Sequence, residues 1–395
     1  MNKIAAIICE FNPIHNGHKK LIDKALEGGA DGIVCIMSGN YVQRGEPAIL
    51  QKYKRAEAAV LCGANLCLEL PMPNTVGSAE YYAEGAIDVI ERLGVVDELW
   101  FGCECGDAEK IRTAAENQMK EAFTVKLEEL HREGVGYAEA NELAYTALYG
   151  ENDIFRTPNN VLAIEYAKAL LRRNSSIRLC SVKRDGDYNC DELSNDLTSP
   201  SATSIRNKLY EGDIDSIAPY MPPEAYNLLV DAYTDWEAPT DLSRLYDAML
   251  ISFRLAHPED YDNIEGISGG LQNRIVSAAL EGDSYYSFFD KLKTKKYTDA
   301  RLRRSLLACL LGITHKDMKR APEYTSLLSA DDIGREILSS IRKTAKITIV
   351  TKPADTPICR QSEISDRADA VFTLCSPMRH EASYIKKMSP AVIKK

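Results

Sequence analysis

Five apolar, β-type runs in the first 210 residues are each followed by a stretch with helical spacing. No other feature of the chain restricts its fold as strongly. The runs are Ile4 to Cys9, Ile33 to Met37, Leu66 to Leu70, Glu98 to Phe101 and Ile177 to Val182. The helical stretches run from about Gly17 to Glu27, Lys54 to Cys62, Ala79 to Leu93, Asp107 to Glu133, Asn160 to Arg173 and Ser201 to Leu209. Strands alternating with helices predict a parallel sheet covered on both faces, because a parallel pair needs a crossover and crossovers are right-handed. The expected class is therefore α/β, doubly wound. From about Pro222 to Arg342 the apolar period becomes three and four residues (Leu245, Met249, Phe253; Leu302, Leu306, Leu310), which predicts helices. A last mixed piece offers Ile347 to Val350 and Ala370 to Leu374 as strands. With 395 residues the chain exceeds the size of one core, so we divide it at residues 1–215 and 216–395.

Composition narrows the class. Hydrophobic residues make up 45% and charged residues 27%, which supports a folded core rather than disorder. No run reaches the roughly 18 apolar residues of a membrane span, and Met1 to Glu10 is too short and ends too acidic for a secretory signal. Several of the eleven cysteines (Cys9, Cys35, Cys67, Cys180, Cys309) sit inside apolar stretches, where Cys acts as a small hydrophobe. Cys103-Glu104-Cys105 has no second pair at zinc spacing, so no metal site is assigned. A reduced, cytoplasmic protein is expected. The net charge of −10 excludes a surface that is basic all round, not a local basic face.

Chemistry concentrates at the first strand-to-helix turn, where a doubly wound sheet places its ligand. In His15-Asn16-Gly17-His18, two of the chain's six histidines flank a glycine at a helix start. The helix tip offers N–H groups to an anion. Gly17 allows close approach, and protonated or donor-oriented imidazoles can stabilise charge building on a phosphate. A second anion cradle, Ser199-Pro200-Ser201-Ala202-Thr203-Ser204-Ile205-Arg206, opens the helix after the fifth strand. No G-x-x-x-x-G-K-[ST] loop occurs, so a nucleotide would be held differently from a P-loop protein.

Together these stretches resemble the H-x-G-H and S/T-x-x-S-x-I-R signatures of the nucleotidyltransferase superfamily. Longer blocks narrow the likeness. Ile7 to His18, Met37 to Ala48, Leu68-Glu69-Leu70-Pro71, Pro158 to Leu162, Ser201 to Arg206, and Glu265 to Ile275 with Lys295-Lys296-Tyr297-Thr298 are similar to the bacterial tRNA(Met) cytidine acetate ligase family. The resemblance implies a Rossmann-like, HUP-type domain over residues 1–215 that binds ATP. It further implies a mainly helical tRNA-binding part with a small mixed segment over 216–395. It implies acetate activation as acetyl-adenylate, with AMP and pyrophosphate released and Mg²⁺ accompanying ATP. The wobble cytidine of elongator tRNA(Met) would receive the acetyl group as N4-acetylcytidine.

Carried over by position, His15, His18 and Arg206 are expected to act in catalysis. Ile7, Cys9, Phe11, Asn12, Pro13, Asn16, Gly17, Lys20, Gly102, Asn160, Arg184, Ser201, Thr203 and Ser204 are expected around ATP, with Asn159 the alternative to Asn160. Between residues 291 and 304 stand seven bases, Lys291, Lys293, Lys295, Lys296, Arg301, Arg303 and Arg304, against one acid, Asp299. They form the expected phosphate track for RNA. Two other readings stay open: an adenylyltransferase acting on a small phosphorylated metabolite, and an inactive nucleotide- or RNA-binding protein.

Overall fold

In Ile4–Cys9 the residues are alternately directed to opposite faces of a sheet, and both faces are apolar. Ala5, Ile7 and Cys9 join one core, Ile4 and Ala6 the other. A strand buried on both sides must be covered on both sides, which is how parallel sheets are built. The computed structural model describes residues 3–151, 153–184, 201–294 and 297–394. Its strands are β1 (Ile4–Cys9), β2 (Gly32–Ser38), β3 (Tyr41–Val42), β4 (Glu46–Pro47), β5 (Leu66–Leu70), β6 (Glu98–Cys103), β7 (Arg178–Lys183), β8 (Tyr324–Ala330), β9 (Thr348–Val350) and β10 (Ala391–Val392).

The main sheet has the order β10-β8-β5-β2-β1-β6-β7, with β9 also paired to β8. From β1 the chain steps outward to β2 and β5, then returns to the far side of β1 for β6 and β7. The steps reverse between β1 and β6, which pair in parallel from Ala5 with Glu98 to Ile7 with Trp100. The crevice beyond the carboxyl ends of these two strands is the switch point of the sheet.

The helices Asn16–Glu27 and Lys52–Leu61 cover one face, Ala79–Leu93, Ala108–Gln118, Pro158–Arg172 and Asp332–Thr344 the other. The helices Pro223–Thr234, Tyr246–Leu255, Leu271–Glu281, Tyr285–Leu292 and Asp299–Leu311 continue the first core through Leu229, Phe253, Ile275, Phe288 and Leu306.

The structure departs from the sequence expectation in four places. The helix expected over Asp107 to Glu133 is two, Ala108–Gln118 and Glu121–Arg132, divided where Lys120 is extended (φ −74°, ψ 143°). A further helix, Tyr137–Tyr149, follows. Ala370 to Leu374 is no strand but overlaps the end of the helix Arg360–Phe372. Finally, β8 pairs antiparallel with β5, and β9 and β10 pair parallel with β8, so the sheet does not stop at residue 215. No helix among the described residues is long and apolar enough to cross a membrane.

Candidate functional site

The chain leaves β1 at Cys9 and enters the helix Asn16–Glu27 through a tightly held loop. Phe11 sits in the left-handed region (φ 45°), a strained conformation for a bulky residue, and is 1% exposed. Asn12 fixes the loop twice. Its Oδ1 accepts the Ile49 N–H at 2.8 Å, and its carbonyl accepts a guanidinium N–H of Arg206 at 2.9 Å. His15 caps the helix: its Nδ1 accepts the Gly17 N–H at 3.0 Å, while His18 Nδ1 accepts the His15 N–H at 3.3 Å. This is a capping box made of two imidazoles. The rings lie 3.8 Å apart between centroids, and Phe11 meets the His18 ring edge-on at 5.1 Å.

The reciprocal cap fixes the chemistry of both rings. Burial, then the nearby Arg184 and Arg206 guanidinium groups, push the His15 pKa down to about 3. Burial, His15 and Arg184 lower His18 well below the usual imidazole range. Both rings are therefore neutral near pH 7. Since each Nδ1 accepts a backbone N–H, each proton resides on Nε2. Of the two states expected from sequence, the structure selects neutral donors. The positive charge comes from arginine.

Arg206 stands half-buried in the cleft, with one nitrogen on Asn12 and the other on Thr203 Oγ1 at 3.0 Å. Ser201 caps the helix Ala202–Tyr210 by accepting the Ser204 N–H at 3.1 Å. The Ser204 hydroxyl donates to the Ser201 carbonyl at 2.8 Å and is buried, so it serves the cap. Ser199 and Pro200 lie outside the described residues. At the end of β6, a Cβ on Gly102 would stand 3.3 Å from Arg184 Cγ, so the glycine makes room for the arginine's stem. Asn160 is buried, with Oδ1 on the Cys105 N–H at 3.1 Å and its own N–H on Glu104 at 3.0 Å. Asn159 Nδ2 donates to the other Glu104 oxygen at 2.6 Å. Both asparagines thus hold the turn Cys103 to Cys105, and no bond from Asn160 Nδ2 is seen among the described residues.

The remaining expected contacts also have bonds or packing within the protein. Ile7 is 1% exposed inside the core, and the Cys9 thiol faces the Ile36 carbonyl at 3.9 Å. Pro13 is buried, Asn16 Nδ2 donates to the Pro219 carbonyl at 3.0 Å, and the Gly17 N–H is engaged by His15. Lys20 is exposed on the first turns of the helix.

Two functional residues were not anticipated. Arg55, 2% exposed, donates to the carbonyls of Leu50 (2.8 Å), Ser38 (3.1 Å), Gly39 and Glu10, clamping the loops after β1 and β2 together. Gln43, in the turn of the β3–β4 hairpin, donates its backbone N–H to Glu10 Oε1 at 2.7 Å. The same turn lies against the helix Asp299–Leu311. Gly45 has φ 78°, and a Cβ there would meet the Arg304 nitrogen at 2.7 Å. An Arg55 in an alanine-rich helix gives no sequence signal, whereas the Gln43-Arg44-Gly45 turn is visible as a block of resemblance without a role.

The basic track is partly built into the protein. Arg303 pairs with Glu46 at 3.1 Å, and Arg304 donates to the Gln43 carbonyl at 3.4 Å, its pKa pushed down to about 10 by burial and then by Arg301. Arg301 lies over the Tyr297 ring at 4.8 Å. Lys291 and Lys293 pair with Glu281 and Asp290 at 3.4 and 2.9 Å. Lys295 and Lys296 lie outside the described residues.

A partly open cavity of about 300 Å³ lies away from the histidine loop, between β8, β9 and the helix Arg360–Phe372. Lys52 at its floor pairs with Glu69 and Asp369, each at 2.9 Å, and Asp369 also accepts from Asn40 at 2.8 Å. This network anchors the loop after β2 and contains none of the groups around His15 and His18.

A dinucleotide-type switch point carrying paired donors and arginines has known counterparts. The model of the HIGH nucleotidyl transferase family matches residues 1–387. The tRNA(Met) cytidine acetate ligase of Acetivibrio thermocellus is 34% identical over 397 residues, covering 94% of this chain and 95% of that protein. The chain belongs to the tRNA(Met) cytidine acetate ligase family. The Caldanaerobacter subterraneus ligase is 36% identical over 357 residues, covering 88% of each. The crystal structure of Thermotoga maritima TmcAL bound with alpha-thio ATP superposes with a TM-score of 0.91 at 28% identity, covering all of both chains. The apo form of that protein gives 0.93. The expected HUP-type sheet with a mainly helical continuation is thus the fold of this ligase family.

Proposed function

We propose that the chain joins acetate to ATP as acetyl-adenylate and passes the acetyl group to the wobble cytidine of elongator tRNA(Met), giving N4-acetylcytidine. The observation that carries this reading is the pair of neutral Nε2–H donors on a helix tip, with Arg184 close enough to act on both imidazoles and Arg206 on His15. Displacement of pyrophosphate by a carboxylate asks the protein mainly to position the groups and to meet charge as it grows on phosphate oxygens. Fixed donors and arginine forks at a strand tip supply that. The names of the relatives, and the ATP analogue in the Thermotoga protein, support the same substrates.

Among the described residues no three His, Cys, Asp or Glu side chains stand together to hold a metal ion. We therefore assign Mg²⁺ to the phosphates of ATP, where it would neutralise their charge. The ten described cysteines form no disulfide with one another, which fits a reduced, cytoplasmic setting. The helical part is assigned to tRNA. Ion pairs such as Lys291 with Glu281 are exposed and weak, so these cations can exchange carboxylate for phosphate. Arg304 is held too deeply to do so.

Incubation with ATP, labelled acetate and tRNA tests the whole reading, and label in the cytidine is the expected result. AMP transfer to a phosphorylated metabolite without labelled RNA would favour the adenylyltransferase alternative, and binding without turnover the inactive one. Replacing Lys295 and Lys296 by Glu is expected to spare acetate-dependent ATP–pyrophosphate exchange and weaken RNA labelling, with a shallower salt dependence.

A further inference from the structure

The second half-reaction releases a proton that the first does not. When the cytidine amine attacks the acetyl carbonyl, the nitrogen lone pair forms the C–N bond. The C–O bond to phosphate breaks and its electron pair leaves with AMP, so one N4 proton must be taken up. The groups that define the ATP cleft cannot take it. Both imidazoles have Nδ1 on a backbone N–H and Nε2 already protonated. Arg184, Arg206 and Arg44 are cations. Of the carboxylates nearby, Glu104 has both oxygens on Asn159 and Asn160, and Glu46 is paired with Arg303.

Glu10 is different. It follows β1 directly, at the switch point, and its backbone carbonyl is clamped by Arg55. One carboxylate oxygen accepts the Gln43 N–H at 2.7 Å, and the other has no hydrogen-bond partner among the described residues. Among the described residues its side chain is anchored by the hairpin turn that rests on Arg303 and Arg304, so it stands between the histidine loop and the basic helix. We infer that Glu10 is the general base that accepts the N4 proton of the cytidine during acetyl transfer. The inference rests on the function proposed above and adds a catalytic residue to it. The proton then leaves for water, restoring the carboxylate.

The surroundings set the sign of the pH dependence. Burial raises the Glu10 pKa, opposed by the Gln43 N–H and by Arg206, Arg44 and Arg55; Cys9, Tyr82 and Tyr166 also border it and are neutral. A base works unprotonated, so transfer should climb with pH through a limb lying above the ordinary glutamate range and then level.

The test measures the two half-reactions separately: acetate-dependent exchange of labelled pyrophosphate into ATP, and single-turnover transfer of labelled acetyl to tRNA. Glu10→Gln is expected to lower transfer about 10²–10⁴-fold more than it lowers exchange, and to flatten the acid limb. Glu10→Asp, which keeps a carboxylate, should retain the limb at a reduced rate. Transfer by Glu10→Gln at the wild-type rate would overturn the inference. So would an equal loss of exchange and transfer in both variants, which would place Glu10 with ATP, its Mg²⁺ or the loop's structure. Absence of exchange in the wild-type protein would instead defeat the proposed function, and the two failures are thereby told apart.

Discussion

His15 does two jobs that a substitution can separate. As an N-cap it holds the helix Asn16–Glu27 through Gly17, and its Nε2–H is the donor assigned to the phosphate. Asparagine is among the best N-caps, so His15→Asn should leave the melting temperature nearly unchanged. Losing one preorganised donor should cost adenylate formation about 10²–10³-fold, read by pyrophosphate exchange. Because both imidazoles are neutral well below pH 7, exchange in the wild-type protein should vary little between about pH 5 and 8. A steep rise or fall there, tied to either ring, would contradict the assigned protonation. At this scale the grouping of His15, His18 and Arg206 was legible, since unusual residues at a helix start stand out in a string of letters. The protonation state was not, because it depends first on burial and then on Arg184, nearly 170 residues away in the chain. Nor was the packing of Ile7 and Cys9 within the core, because burial is a property of neighbours.

Among the elements, the β3–β4 hairpin bears most on how the two parts of the chain meet. Its turn fits against the helix Asp299–Leu311 only because residue 45 has no side chain and can adopt φ 78°. Gly45→Val should lower stability by about 1–3 kcal/mol through the backbone conformation alone, with the clash against Arg304 adding to it. Denaturant unfolding checks the expectation. The inner strands were readable because both their faces are apolar, and β5 (Leu66–Leu70) begins and ends where its sequence run does. β8 was not, because Tyr-Thr-Ser-Leu-Leu-Ser-Ala has no clean period of two and pairs antiparallel with a strand some 250 residues earlier. Ala370 to Leu374 was misread because a short apolar run does not tell strand from buried helix.

For the molecule as a whole, the sheet itself joins the beginning of the chain to its end. β8 covers the open edge of β5, and the helix Asp332–Thr344 contributes Ile337, Leu338 and Ile341 to the same core as Leu66 and Leu68. A protein cut after residue 215 would bare that edge and that face, and is expected to aggregate or to lose a cooperative melt. Size-exclusion chromatography and circular dichroism decide it; a soluble, cooperatively melting fragment would show the sheet to be self-sufficient.

The grip of Asp369 on Asn40 and Lys52 has a consequence for the order of events at the ribosome. Translation delivers the loop after β2 early and the carboxylate that pins it very late. A growing polypeptide therefore carries the histidine turn long before the base of the neighbouring hairpin is fastened. Until Asp369 has been made, the loop after β2 lacks the carboxylate that holds Asn40 and Lys52.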